Sequence, residues 1–283
     1  MIEQVVNRFF ETRRGNFIDK EIALTPSLVG MKIFDTPLIG IADARDPIFE
    51  TFFKQEEIVY GQFMTPDLWL NTAKSVISIF LPYTDDVKKG NAANLKRPTM
   101  EWLHGRYEGQ QFIIALSKYV QKAFEDQGYK CVVPGLSEQL KVNTGTHLVQ
   151  DKKAQKYLTN KDFWSNWSER HVAFAAGLGT FGLSKNIITA KGSAGRLTSF
   201  ITDADLKTTK RKYTQIYENC SLCGACIPNC PVNAIHRESG KHHTVCSRYL
   251  DWVAEHYKPR YACGKCQVSV PCQDCIPKKL EYD

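Results

Sequence analysis

Four cysteines, Cys220, Cys223, Cys226 and Cys230, stand directly before Pro231 at a spacing that suits an iron-sulfur cluster. The pattern C-x2-C-x2-C-x3-C-P is typical of bacterial ferredoxins, in which three thiolates hold one 4Fe-4S cluster and the fourth reaches across to a second. Ferredoxin clusters carry electrons, so this run predicts a protein that moves electrons.

The last cysteine of the run indicates a second cluster. A tight loop supplies only three corners of a 4Fe-4S cube, and Pro231 turns the chain away after Cys230. The second cluster then needs three further thiolates, and Cys246, Cys263 and Cys266 are the first available. We therefore expect one cluster to be held by these four cysteines.

The fourth ligand of the first cluster has two candidates, Cys272 and Cys275. We favour Cys272, because Pro271 beside it resembles the cysteine-proline pairing of ferredoxin loops. An alternative is a zinc knuckle built by Cys263, Cys266, Cys272 and Cys275, since two C-x-x-C pairs often bind zinc. That arrangement would leave Cys230 and Cys246 without a cluster.

Composition narrows the class of protein. Nine of the ten cysteines lie between positions 220 and 275 with no secretory signal ahead of them, which favours metal over a disulfide framework. Cys131 stands apart and is expected to be a buried strand residue. The formal charge of +7 falls to roughly +3 with two clusters, so it does not indicate nucleic acid. No apolar run spans a bilayer, so we expect a cytoplasmic protein without membrane contact.

Hydrophobic periodicity and turn residues predict an α+β domain ahead of the cysteines. We place a boundary near residue 210, inside the basic stretch 207–212, with an α+β domain at 1–210 and a ferredoxin-like domain at 211–283. The expected helices are 2–10, 67–73, 99–128 and 169–176, and the expected strands are 76–83, 129–133 and 196–202.

A glycine segment precedes the cysteines. Gly177, Gly179 and Gly182 match G-x-G-x-x-G, and Asp203 follows about twenty residues later, as in a dinucleotide-binding fingerprint. That fingerprint opens a helix after a strand, whereas here the preceding segment is predicted to be a helix ended by Gly177. A nicotinamide or flavin site and a purely structural turn are both retained as alternatives.

The stretch SERHVAFAAGLGTFGLSKNIITAKGSAGRLTSFITD and the cysteines that follow resemble the epoxyqueuosine reductase family over about residues 165–275. This resemblance implies a cobalamin-dependent enzyme with two 4Fe-4S clusters that reduces the epoxide of a tRNA wobble nucleoside. The family is similar in plan to the reductive dehalogenases, so the resemblance also implies a nitroreductase-like corrinoid-binding domain.

Positions carried over from the family border the corrinoid, where glycines would allow close backbone approach to a flat macrocycle. No D-x-H-x-x-G sequence occurs, so a histidine-ligated cobalamin of the mutase kind is not expected; His171 is expected to pack or lie at the surface. Trp102, Trp164 and Trp167 are pocket candidates, although core packing is the more ordinary role. The corrinoid-bordering positions implied are Gly177, Leu178, Gly179, Gly182, Asn186, Thr202 and Asp203.

The family's aspartate, an expected proton donor, has no clean counterpart in this sequence. Asp162 is the carboxylate nearest to the position at which the family has its aspartate, counted back from the glycine segment. We take Asp162 as the catalytic general acid; an ordinary surface aspartate is the alternative. By local pattern the segment Val142-Asn143-Thr144-Gly145 is closer, but it carries asparagine.

We expect an external low-potential electron donor of the ferredoxin or flavodoxin type. The chain resembles a short form that stops after Cys275, without the helical-repeat domain that helps longer members hold tRNA. Lysines at 152, 153, 156 and 161, or the basic stretch 207–212, could offer tRNA a basic surface, or could simply be solvated. The competing hypothesis is a non-catalytic ferredoxin-type protein that feeds a partner enzyme.

Overall fold

The computed structural model describes residues 1–54, 62–143 and 163–279. Its centre is a four-stranded antiparallel sheet in the order β1-β2-β8-β3. The inner strands are β2 (Ser75–Pro82) and β8 (Gly195–Thr202), and they pair from Ser75 with Thr202 to Pro82 with Gly195. The outer strands are β1 (Leu38–Asp43) and β3 (Cys131–Val132).

Every residue of β2 is buried, which requires a layer on each face of the sheet. Since alternate side chains of a strand point to opposite faces, the strand divides its residues between two cores. Ile77, Ile79 and Leu81 belong to one hydrophobic core, whereas Val76 belongs to the other. The same division places Phe200 and Ile201 of β8 in different cores. The sheet is therefore sandwiched between two layers.

The first layer contains α1 (Ile2–Thr12) and the long helix α5 (Met100–Glu125). Its apolar side recurs at helical spacing through Phe112, Leu116 and Val120, all of them buried against the sheet. The second layer contains α2 (Pro47–Lys54) and α6 (Glu169–Ala175). Helices covering both faces of an antiparallel sheet confirm the predicted α+β fold.

The predicted strands at 76–83 and 196–202 are confirmed, as is a helix beginning after Thr99. The helix expected at 67–73 is shorter, because the backbone of Leu70 is already extended. The other α-helices and strands of the described ranges are α3 (Pro66–Trp69), α4 (Asp85–Ala92), β4 (Val142–Asn143), β5 (Trp164–Ser165), β6 (Gly179–Phe181), β7 (Ile187–Thr189), β9 (Ile235–His236), β10 (Gly240–Lys241) and α7 (His243–His256).

The basic stretch 207–212 lies beside the edge strand β1 in space. Thr209 exchanges hydrogen bonds with the backbone of Ile41, and Arg211 forms an ion pair with Asp46 at 3.0 Å. These contacts tie the stretch to the sheet. Arg211 is therefore not free to meet a polyanion, whereas Lys207, Lys210 and Lys212 are exposed.

The cysteine-rich segment packs on the helices of the first layer. Arg260 pairs with Glu108 of α5, Lys88 of α4 pairs with Asp274, and Asn91 donates to the carbonyl of Cys263 at 2.9 Å. Val253, Ala262 and Val268 complete the first hydrophobic core. The cysteine loops are thereby held against α4 and α5. None of the helices in the described ranges has the length and apolar character needed to cross a membrane.

Candidate functional site

One group of cysteines surrounds a small cavity. Cys220, Cys223 and Cys226, from the loop after β8, line it together with Cys272 from the C-terminal segment. Burial and then the neighbouring thiols Cys220 and Cys223 raise the pKa of Cys272 to about 11. Thiols crowded in this way resist ionisation by themselves, whereas metal coordination deprotonates them. The arrangement has the four converging sulfurs that a 4Fe-4S cluster requires.

The loop that carries three of these thiols bends sharply. Leu222 and Gly224 both have positive φ, 55° and 77°, and the Arg237 guanidinium donates to the Leu222 carbonyl at 2.7 Å. Left-handed residues reverse the chain within one or two positions. This reversal lets cysteines three positions apart line the same cavity.

A second group of cysteines lines a larger cavity, of about 380 Å³. Cys246 lies on α7, and Cys263 and Cys266 flank the short turn that follows the helix. Cys230 lies near Cys266, and its Sγ accepts a hydrogen bond from the backbone N–H of Ala234 at 3.2 Å. The four predicted ligands of the second cluster are thus brought together.

The two groups are neighbours. The pKa of Cys226 is raised to about 12, mainly by burial and to a smaller extent by nearby thiols, of which Cys266 has the largest effect. Cys226 belongs to the first group and Cys266 to the second, so clusters held by the two groups would lie side by side. Electrons could then pass between them without crossing the rest of the protein.

The zinc-knuckle alternative does not match this geometry. Cys263 and Cys266 line the larger cavity, while Cys272 lines the smaller one. Cys275 lies exposed and is directed to the carbonyl of Pro271 at 3.7 Å. Across the described ranges, no three His, Cys, Asp or Glu side chains are grouped closely enough for one metal ion.

The walls of the larger cavity combine aromatic rings with positive charge. Trp102 and Tyr261 contribute apolar surface, and four cationic side chains line the same space. Two of the four, Arg170 and Lys241, lie close to the thiols of Cys246 and Cys266. The other two are Arg106 of α5 and Arg196 of β8.

Glu169 is the one carboxylate among the described residues that line this cavity. Its Oε2 is shielded from solvent and has no hydrogen-bond partner among the described residues. Burial raises its pKa to about 7, against the weaker opposing effects of the Ser199 hydroxyl and the Arg196 guanidinium. A carboxyl that is partly protonated at neutral pH can donate a proton to a ligand beside it.

Sequence reasoning did not single out Glu169. An acidic residue in the first turn of a helix is ordinary, because it interacts favourably with the helix dipole. Its place in the cavity depends on how α6 packs on the sheet, which no local pattern reveals. The same holds for Arg106 in the middle of α5.

The seven positions expected to border a corrinoid have several different surroundings. Asn186 lines the larger cavity and donates to Cys266 Sγ at 3.4 Å, whereas Gly182 lines the cavity of the first cysteine group. Thr202 and Asp203 bond the backbone of Lys130 beside β3.

The other three positions, in the segment Gly177 to Gly179, contact protein. Gly177 ends α6 with φ of 80° and faces the segment of Thr209, and Leu178 packs on Gly40. A Cβ on Gly179 would lie 2.2 Å from the carbonyl oxygen of Ile188. The pairing of β6 with β7 therefore accounts for this glycine without a ligand, as the structural-turn alternative expects. The dinucleotide fingerprint is disfavoured, since the segment follows a helix and leads into a strand.

Replacing Gly179 by alanine should destabilise the protein by about 1 to 3 kcal/mol or more, because the backbone of β7 must move to admit the methyl group. Gly15→Ala is the matched control, since its Cβ would meet only an ordinary contact at 3.7 Å with Phe112. Thermal melting of both variants measures the effect. Equal melting temperatures for the two would contradict the packing explanation.

Other predicted residues are placed as follows. Asp162 and the lysines at 152, 153, 156 and 161 lie outside the described residues. Asn143 pairs with Trp164 between β4 and β5, and His171 packs between the rings of Phe52 and Phe181. Trp167 is buried in the second core, and Cys131 is buried in β3, as predicted.

Comparison with known proteins agrees with this architecture. Residues 213–236 match the family described as the 4Fe-4S binding domain. No curated protein matches the chain. Similar solved structures include a catabolic reductive dehalogenase, NpRdhA, in complex with 3-bromo-4-hydroxybenzoic acid, with a TM-score of 0.51 and 12% identity over 85% of this chain and 30% of that chain.

Epoxyqueuosine reductases are also among the similar structures. The enzyme from Streptococcus thermophilus has a TM-score of 0.44 and 18% identity over 87% of this chain and 65% of that chain. The enzyme from Bacillus subtilis has a TM-score of 0.48 and 17% identity over 98% of this chain and 70% of that chain. This chain thus spans 65% of the length of the first and 30% of the dehalogenase. The family match supports 4Fe-4S binding, and the likeness to the dehalogenase shows a shared fold.

Proposed function

We propose that this chain is an iron-sulfur reductase that passes electrons through two 4Fe-4S clusters to a corrinoid, where a substrate is reduced. The observation that carries the proposal is the larger cavity, lined at once by three cysteines of the second group, by a carboxyl of raised pKa and by aromatic and cationic side chains. A reductase needs a redox centre that opens on a ligand-sized space. A protein that only transfers electrons does not need such a space.

The residues of the first group would hold one cluster and those of the second group the other. Cys220, Cys223, Cys226 and Cys272 form the first set. The second set is Cys230, Cys246, Cys263 and Cys266. Hydrogen bonds from Ala234 and Asn186 to sulfurs of the second set would stabilise negative charge there and favour reduction of that cluster.

Electrons would enter near the first group. Leu222, next to Cys223 in the loop, is 50% exposed. Lys185 and Arg237 line the adjoining surface depression together with Leu222. An apolar surface with basic neighbours suits an acidic carrier of the ferredoxin or flavodoxin type.

The larger cavity fits a corrinoid in two respects. Its apolar wall, which includes Trp102 and Leu197, suits a flat ring. Its volume is that of a drug-sized ligand, so it would take one part of so large a cofactor. Asn186 and Gln267 line it and could bond the carboxamides of the ring. When bound, a corrinoid supplies low-valent cobalt that reduces or attacks an electrophilic carbon.

Glu169 would hold the proton that reduction requires. Its Oε2 is available for a bond to the ligand, and its raised pKa keeps a large share of the carboxyl protonated near pH 7. Arg170 and Lys241, close to the thiols, would offset the negative charge of the reduced second cluster.

Anaerobic purification and reconstitution tests the proposal. We expect about eight iron and eight sulfide ions per chain and a corrinoid spectrum that changes on reduction. Two probes test turnover: an epoxyqueuosine-modified tRNA stem loop and a brominated hydroxybenzoate, the ligands named for solved structures similar to this chain. Two clusters without bound corrinoid would instead support the non-catalytic electron-transfer protein.

A further inference from the structure

Two arginines of the larger cavity form no ion pair with a carboxylate among the described residues. Arg106 and Arg196 line it together, whereas Arg45, Arg211 and Arg260 each form an ion pair with an acidic side chain. The pKa of Arg106 is lowered to about 10, mainly by burial and to a smaller extent by the positive charge of Arg196. The two guanidinium groups are therefore close enough to repel each other.

Both side chains are held in place by neutral groups. Arg106 donates to the hydroxyl of Tyr261 and stacks over its ring at 4.5 Å. Arg196 donates to the side-chain carbonyl of Gln110, while its Nε is shielded from solvent and has no partner among the described residues. Neither contact supplies negative charge. An ordered guanidinium with an unused, buried donor is expensive unless a ligand satisfies it.

The charges of the cavity do not balance without a ligand. Arg170 and Lys241 lie beside the thiols of Cys246 and Cys266, so a cluster on those thiols would offset them. Arg106 interacts instead with Arg196, Tyr261 and Tyr83. The remaining acidic group is Glu169, whose burial keeps much of it neutral at pH 7.

We propose that Arg106 and Arg196 bind an oxyanion of the substrate, a carboxylate or a phosphate group. This assigns a substrate class to the cavity and rests on the proposed function. Each guanidinium keeps N–H groups beyond the one bonded to Tyr261 or Gln110, and carboxylates and phosphates are groups that arginine binds with paired hydrogen bonds. Arg196 interacts with both Arg106 and Glu169, so a molecule anchored by its oxyanion would have its body beside the proton donor.

Calorimetric titration of the cluster-loaded protein tests the pair. One arm uses inorganic phosphate and the other benzoate, each at constant ionic strength set with potassium chloride. We expect one of the two anions to bind the wild-type protein, and Arg106→Gln and Arg196→Gln each to weaken that binding about tenfold or more, since each removes a charged hydrogen-bond donor. Arg45→Gln is the control, because that side chain lies at the surface with Asp43.

A third arm separates substrate from cofactor as the source of the anion. Cobalamin carries a phosphate in its nucleotide loop, and cobinamide lacks that loop. Unchanged binding of both corrinoids by the arginine variants supports a substrate oxyanion. Weakened binding of cobalamin alone would assign the pair to the cofactor and overturn the proposal.

The proposal is also overturned if neither anion binds the wild-type protein more tightly than the double variant Arg106→Gln/Arg196→Gln. Arg196→Lys keeps the charge without the fork, so it covers the case in which the glutamine variants fail to fold; unchanged anion binding there contradicts a bidentate site. Iron content is measured on every sample. Intact clusters without anion binding indicate failure of this site alone. Anion binding without intact clusters indicates failure of the proposed function.

Discussion

Replacing Cys272 by serine should lower the iron content of the reconstituted protein from about eight to about four per chain. Cys272 lines the smaller cavity with Cys220, Cys223 and Cys226, and its segment is held there because Ser193 donates to the carbonyl of Cys272 at 2.9 Å. A cube that loses one of four thiolates becomes labile, while the second group keeps all four of its cysteines. Iron and acid-labile sulfide analysis after desalting measures the loss.

Cys275→Ser is the matched control, because Cys275 is exposed and lines neither described cysteine cavity. It should retain the full iron content and the wild-type spectrum. The opposite result, with cluster loss in Cys275→Ser and none in Cys272→Ser, would exchange the roles of the two cysteines. Loss of all iron in Cys272→Ser would show that the clusters assemble only as a pair.

Replacing Glu169 by glutamine should slow substrate reduction by roughly 10² to 10⁴, the usual contribution of a positioned general acid. The amide keeps the shape of the side chain but cannot release a proton. Because the acid form is the active one and burial raises the pKa of Glu169 to about 7, wild-type turnover should fall as the pH rises through about 7. Turnover of whichever probe the wild-type protein reduces is measured between pH 6 and pH 9.

Stability gives an independent check on the same carboxyl. Its pKa is raised on folding, so the folded state binds the proton more tightly, and stability falls as the pH rises from the ordinary glutamate range to about 7. Above that pH the penalty is constant. Glu169→Gln removes this penalty. The melting temperature of the variant relative to that of the wild type should therefore rise as the pH increases across this interval. A pH-independent difference, with unchanged turnover, would remove Glu169 from the proposed mechanism.

Much of the fold could be predicted from local pattern. The continuous apolar run of β2 indicates a strand buried on both faces, and the helical stripe of α5 predicts the layer that covers one of them. Glycines were harder to interpret. The segment from Gly177 to Gly182 matches a dinucleotide fingerprint, yet Gly179 is required by the close approach of Ile188, a contact between strands that no short motif encodes.

The candidate site divides in the same way. Cysteine spacing is a local property, because one loop can present only three thiolates to a cube, and the need for further ligands follows by counting. The choice between Cys272 and Cys275 depends on where the chain lies after it has folded back on Ser193. Glu169 is unremarkable as the first residue of a helix and becomes notable only beside the cavity.

The sequence by itself determined that this protein has an α+β domain and a 4Fe-4S binding segment, since both follow from periodicity and spacing along the chain. The tertiary structure decided which thiols converge, and it brought Arg106, Glu169 and Arg196 to one cavity beside Cys246 and Cys266. The reason is that burial and unbalanced charge arise between residues far apart in sequence. Neither property exists until the sheet and helices have packed.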